Sequence, residues 1–137
     1  MLDSLTNSPL VGVQRPRVEH VPAGESLGDL AVRFSAFCGL KLDPWQEHVI
    51  VNSLRESSPG RWAAPQVGLV VPRQQGKGSI LEARELFGLF QLPEERLIIH
   101  SAHLFKTAQE AFLRLMHWID TNPELEKRVK KVTTAHG

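Results

Sequence analysis

The chain is 137 residues, 42% hydrophobic and 23% charged, which fits one globular domain and excludes wholesale disorder. Lys and Arg number 16 against 15 Asp and Glu, a formal charge of +1, so any basic surface is local rather than global. A single cysteine, Cys38, excludes an internal disulfide and a multi-cysteine zinc site; no apolar run reaches the roughly 18 residues of a membrane span, and MLDSLTNSPL lacks the basic-then-apolar pattern of a secretory leader.

Residues 1–25, with Pro9, Gly12, Pro16, Pro22 and Gly24, hold no sustained period and read as an extended or poorly ordered lead-in to a domain over 26–137. Leu27, Leu30, Ala31, Phe34 and Phe37 predict a helix over 26–38 that stops at Gly39. Asp43 as cap, Pro44 in the first turn and Gln46 three after the cap predict a second helix ending near Ser57. Val67-Gly-Leu-Val-Val71 is a nearly continuous apolar run, the pattern of a buried strand. A polar turn over 73–78 follows, then a helix over 79–90 with Ile80, Ala83, Phe87 and Phe90 on one face. Leu97-Ile-Ile-His100 predicts a second buried strand. Ala108, Ala111, Phe112, Leu115, Met116 and Ile119 predict an amphipathic helix over 106–119. Asn122-Pro123 opens a short charged helix to about Arg128, and residues 129–132 could begin a third strand. Strands alternating with helices imply an α/β fold with a parallel sheet. Two strands are too few for a complete one, so the chain reads as part of a larger domain.

The informative stretch is Val70-Val-Pro-Arg-Gln-Gln-Gly-Lys-Gly-Ser79. A strand runs into a turn with Gly76 and Lys77, and a helix opens at once. Backbone N–H groups and the helix dipole there suit an anion, and Lys77 can reach terminal phosphates. Against the phosphate-loop pattern G-x-x-x-x-G-K-S/T, Val71 replaces the first glycine and Gly78 replaces the hydroxyl residue that normally holds Mg²⁺. Ser79, one place on, is a candidate for Mg²⁺ only if the turn is rearranged, and Arg73 offers a second cation. From these residues alone, a basic turn that binds nothing stays open.

With Leu42-Asp-Pro-Trp-Gln46 upstream and Leu97-Ile-Ile-His-Ser-Ala-His103 and Lys106-Thr-Ala-Gln-Glu110 downstream, residues 26–137 resemble the ATPase domain of phage terminase large subunits, those of actinobacterial tailed phages above all. The resemblance implies a P-loop NTPase-like parallel sheet with flanking helices, of which this chain holds the N-terminal part only. It implies ATP held by Arg73, Gln74, Gln75, Gly76, Lys77, Gly78 and Ser79, with Gln46 and Trp45 contacting adenine and Mg²⁺ in the complete protein. The family's loop often begins with an arginine, as Arg73 does. The implied partners are double-stranded DNA, a portal protein, a terminase small subunit and further copies in a ring, in the cytoplasm of an infected or lysogenic bacterial host. By residue type alone, Gln46 is equally a capping-box residue and Trp45 a core residue.

His100 and His103 have no third ligand pattern beside them, and Lys127, Arg128, Lys130 and Lys131 read as a solvated basic face with DNA contact as the alternative. Hydrolysis needs an apolar strand ending in an acid that holds Mg²⁺, with a glutamate nearby to orient water. No such strand is legible, and Asp120 falls in a helix pattern. The reading is therefore the phosphate-binding part of a packaging motor without its acidic motif or nuclease. The alternatives are a non-catalytic nucleotide- or DNA-binding module that assembles with a separately encoded remainder, and a fragment of a helicase-like ATPase.

Overall fold

The structure is a computed structural model and describes residues 12–134. Those residues form a mixed α/β fold of five helices and a small three-stranded antiparallel sheet. Helix α1 spans Gly28–Phe37 and α2 spans Pro44–Ser53. Strands β1 (Glu25–Ser26), β2 (Arg55–Ser58) and β3 (Arg61–Trp62) make the ribbon, in that spatial order. Helix α3 spans Lys77–Gln91, α4 spans Phe105–Asp120 and α5 spans Pro123–Glu126.

Helix α3 is central. Ile80, Ala83 and Phe87 join Ala31 of α1, Ile50 of α2 and the Leu40, Leu42 and Leu54 side chains of the connections in one core. Leu86, on the adjacent side of α3, meets Cys38, Ile119 and Leu125 in a second core that seats α4 and α5. Asn122 caps α5 by accepting the Glu124 N–H at 3.1 Å, and its side-chain amide donates to the Phe37 carbonyl at 3.3 Å. That ties the end of α4 to the end of α1.

The second helix stops four residues before the expected Ser57. Leu54 is buried and ends it, and Asn52 Oδ1 accepts two bonds from the Arg55 guanidinium, turning the chain out of the helix. The chain then pairs Glu56 with Glu25 and with Trp62 across an irregular register near Ser58. A ribbon of arginine, glutamate and serine carries no alternation that a sequence pattern could register.

The two expected strands correct the sequence reading further. Residues 66–72 and 97–103 belong to no helix or strand; among the described residues they make no backbone–backbone hydrogen bonds, and no parallel pair forms. Leu69 packs on the first core and Ile98 lies against α3 at Gly88. Their neighbours point away: Val70 is 98% exposed, Leu97 77% and Ile99 80%. Apolar residues in extended backbone stay dry only when another layer covers them, and none does here. No strand begins over 129–132. Of the lead-in, residues 1–11 lie outside the described residues. Residues 12–24 run along α2, where Gln14 accepts the Trp45 N–H at 3.3 Å and Glu19 pairs with His48 at 2.7 Å. Among the described residues no helix is long and apolar enough to cross a membrane.

Two measurements test this packing. Val70→Thr combined with Ile99→Lys removes exposed apolar surface only, so soluble yield rises while unfolding free energy stays within about 0.5 kcal/mol of the parent. Burial pushes the Cys38 thiol up from its ordinary 9.0 to about 11. The unfolded thiol ionises first, so the folded state binds more protons above pH 9, and stability present below that pH falls as pH rises toward 11. Urea midpoints across that window decline more steeply for the parent than for Cys38→Ala, and thiol reagents react with Cys38 only on unfolding.

Candidate phosphate-binding loop

Residues 72–76 turn between an extended segment and α3, and all five are exposed. Gln74 has φ 57° and Gly76 φ 92°, two left-handed residues two apart in one turn. A non-glycine residue in that region is uncommon, and such turns aim backbone N–H groups into a concave face. Gly76 is required twice over. It has a positive φ, and a Cβ there would lie 2.8 Å from Gln46 Nε2. Lys77 begins α3 directly after it, and its ammonium folds back to the Val71 carbonyl at 3.2 Å, spanning the turn from end to start. Arg73, Gln74 and Gln75 stand exposed on the rim, and Gln75 reaches only the Arg73 carbonyl at 3.5 Å. Ser79 is half-buried in the first turn of α3.

Gln46 is buried, and both ends of its amide are engaged. Its Oε1 accepts the Asp43 N–H at 2.7 Å, the return arm of a capping box, and its Nε2 donates to the Gly76 carbonyl at 2.9 Å. The capping residue and the site residue are therefore the same side chain. Trp45 is half-buried against the first core, with its ring 3.9 Å from the Gly76 Cβ position. An apolar cleft of about 410 Å³ opens at Lys77, walled by Val49, Trp62, Val67, Leu69 and Leu81.

Three residues at the site carry no motif signal. Glu82, one turn into α3 from Gly78, is buried. Its Oε1 accepts from Arg114 Nε at 2.7 Å and its Oε2 from Trp118 Nε1 at 2.9 Å. Arg114 and Trp118 lie one turn apart on α4, so a single carboxylate holds that helix beside the loop. A Cβ at Gly78 would lie 3.2 Å from Arg114 Nη2. The only hint in the sequence is a charged residue adjoining the apolar face of α3, and its partners lie 32 and 36 residues away.

The remaining candidates lie elsewhere. His100 pairs with the buried Glu85 of α3, while His103 is exposed. Among the described residues no three His, Cys, Asp or Glu side chains gather as a metal site. In the basic cluster, Lys127 pairs with Glu124 at 2.6 Å and Arg128 stacks over the Phe90 ring, leaving Lys130 and Lys131 exposed. Asp120 is exposed at the end of α4. Comparison with protein-family models, curated protein sequences and solved structures returns no match.

The double engagement of Gln46 makes a prediction. Gln46→Ala loses the helix cap and the tie to the loop, and the fold weakens by about 1–3 kcal/mol. Gln46→Glu keeps an acceptor for Asp43 but cannot donate to Gly76. Limited trypsin digestion therefore cuts after Arg73 and Lys77 faster in both variants, while urea unfolding separates them.

Proposed function

We propose that residues 72–79 cradle the phosphates of ATP, and that the chain serves as the nucleotide-binding part of a DNA-packaging motor of the phage terminase large-subunit kind. The observation that supports this most directly is the Lys77 ammonium folded over a turn with two left-handed residues, at the start of a 15-residue helix. That arrangement brings backbone donors, a helix N-terminus and a point charge to one place, as phosphate recognition requires. Gln46 contributes by fixing the loop from below, and Trp45 borders it where the base would approach.

On this reading, residues 67–71 and 97–100, unpaired among the described residues, would become strands of a P-loop-like parallel sheet only beside strands from elsewhere. Double-stranded DNA, a portal protein, a terminase small subunit and sister copies in a ring are the partners the proposal carries. ATP fits the residues present. Mg²⁺ does not fit at position 78, because Gly78 has no hydroxyl, a guanidinium lies beside it, and both oxygens of the nearby Glu82 carboxylate are engaged by Arg114 and Trp118. The chain binds nucleotide but by itself turns over none, because the 97–100 segment ends on His100, paired to Glu85, rather than on a metal-holding acid.

Calorimetry with ATP and ADP tests the proposal. The wild-type chain binds both and Lys77→Ala abolishes the heat of binding. Equal affinity in the two proteins refutes the phosphate assignment. Turnover of about one ATP per second by the purified chain, lost in Lys77→Ala, refutes the claim that hydrolysis needs residues from elsewhere.

A further inference from the structure

We infer that Arg114 is a built-in cation of the phosphate site, standing where the loop motif places a hydroxyl-held Mg²⁺, so that this chain binds nucleotide polyphosphate without a divalent metal. The inference rests on reading residues 72–79 as a phosphate cradle. In that motif the side chain after the lysine points at the metal. Here that residue is Gly78, and the space its side chain would enter meets Arg114 Nη2 at 3.2 Å, Glu82 Oε1 (held by Arg114) at 3.5 Å, and Arg114 Cζ at 3.9 Å. The missing hydroxyl and the incoming guanidinium thus concern the same few ångströms. A serine or threonine at 78 would have to push the guanidinium aside.

Glu82 gives Arg114 a fixed stance. Its carboxylate is 5% exposed and accepts from Arg114 Nε on one oxygen and from the Trp118 indole on the other. The Arg114 side chain itself is 52% exposed, and among the described residues its two Nη nitrogens meet no acceptor. A guanidinium has five donors in a planar fork. One is spent on Glu82, and the Nη edge is left beside the first turn of α3. Phosphate oxygens accept readily from such an edge, and the bond is charge-assisted. With Lys77 at the turn and Arg73 on its rim, a third cation of the chain faces the same ligand. A dication entering beside this guanidinium would meet like charge, and the nearest side-chain oxygen, Glu82 Oε1, is already taken up by Arg114 Nε.

The test is nucleotide binding by the full 137-residue chain, measured calorimetrically with ADP and ATP in Mg²⁺ and in EDTA. The wild-type chain binds with similar affinity in both buffers. Arg114→Gln weakens binding in EDTA by about tenfold or more, the loss expected for one charge-assisted bond. Gly78→Ser displaces the guanidinium and supplies an oxygen, so its affinity becomes dependent on Mg²⁺ while the Glu82–Arg114 pair remains. Wild-type binding that disappears in EDTA overturns the inference, as does Arg114→Gln binding equal to wild type in EDTA. If Arg114→Gln loses its helical circular dichroism, Gly78→Ser decides, and a Mg²⁺ dependence unchanged from wild type overturns the inference. A wild-type chain that binds in EDTA, loses binding in Lys77→Ala and keeps it in Arg114→Gln refutes this role for Arg114 and leaves the cradle standing. Absence of binding by the wild type refutes the cradle and this inference together.

Discussion

A buried carboxylate sets the arrangement of the C-terminal half. Leaving Glu82 unpaired inside the protein would cost several kcal/mol, on the order of the whole stability margin of a small domain. It is satisfied by Arg114 and Trp118, so α4 can adopt only the rotation and depth that bring both donors to α3. That placement carries Ile119 into contact with Leu86 and Cys38, and α5 follows with Leu125. The same constraint puts a guanidinium against the second residue of α3. Packing and chemistry at this end of the molecule share one cause.

The loop itself is held from the opposite side. Gln46 belongs to the first turn of α2, and α2 is anchored by Ile50 and Leu54 in the first core. One amide therefore transmits the position of a packed helix to the Gly76 carbonyl. An exposed turn with two left-handed residues has few reasons of its own to keep its shape. Here the shape is borrowed from a buried side chain beneath it and from the lysine bond above it.

Helices α1, α3 and α4 were legible in the sequence from their apolar period, and α2 and α5 from their terminal signals. Asp43-Pro44 opened α2 where expected, and Asn122-Pro123 opened α5. Strand assignments failed in both directions. Residues 67–71 and 97–100 have strand composition, yet half of their apolar side chains face water because no neighbouring layer covers them. Arg55–Ser58 pairs on both sides and has no strand composition at all. Composition reports what a segment would bury, whereas pairing depends on which backbone arrives beside it. The site divides the same way. Gly76, Lys77 and Gln46 were legible because local spacing encodes turns and caps. Glu82, Arg114 and Trp118 were not, since their relation exists only once two helices have packed.

The Lys77–Val71 bond has a further consequence. The ammonium has an oxygen partner within the chain, and that oxygen belongs to the main chain. On the proposed reading, an anion at this turn competes with that carbonyl for one of the ammonium's three donors. A carbonyl is neutral and a phosphate oxygen is charged, so the exchange favours the anion by the added charge on its acceptor, less than the full strength of a new bond. No side-chain substitution at position 71 removes the competing carbonyl. Selection can tune this grip only by bending the backbone or by changing the charges around it.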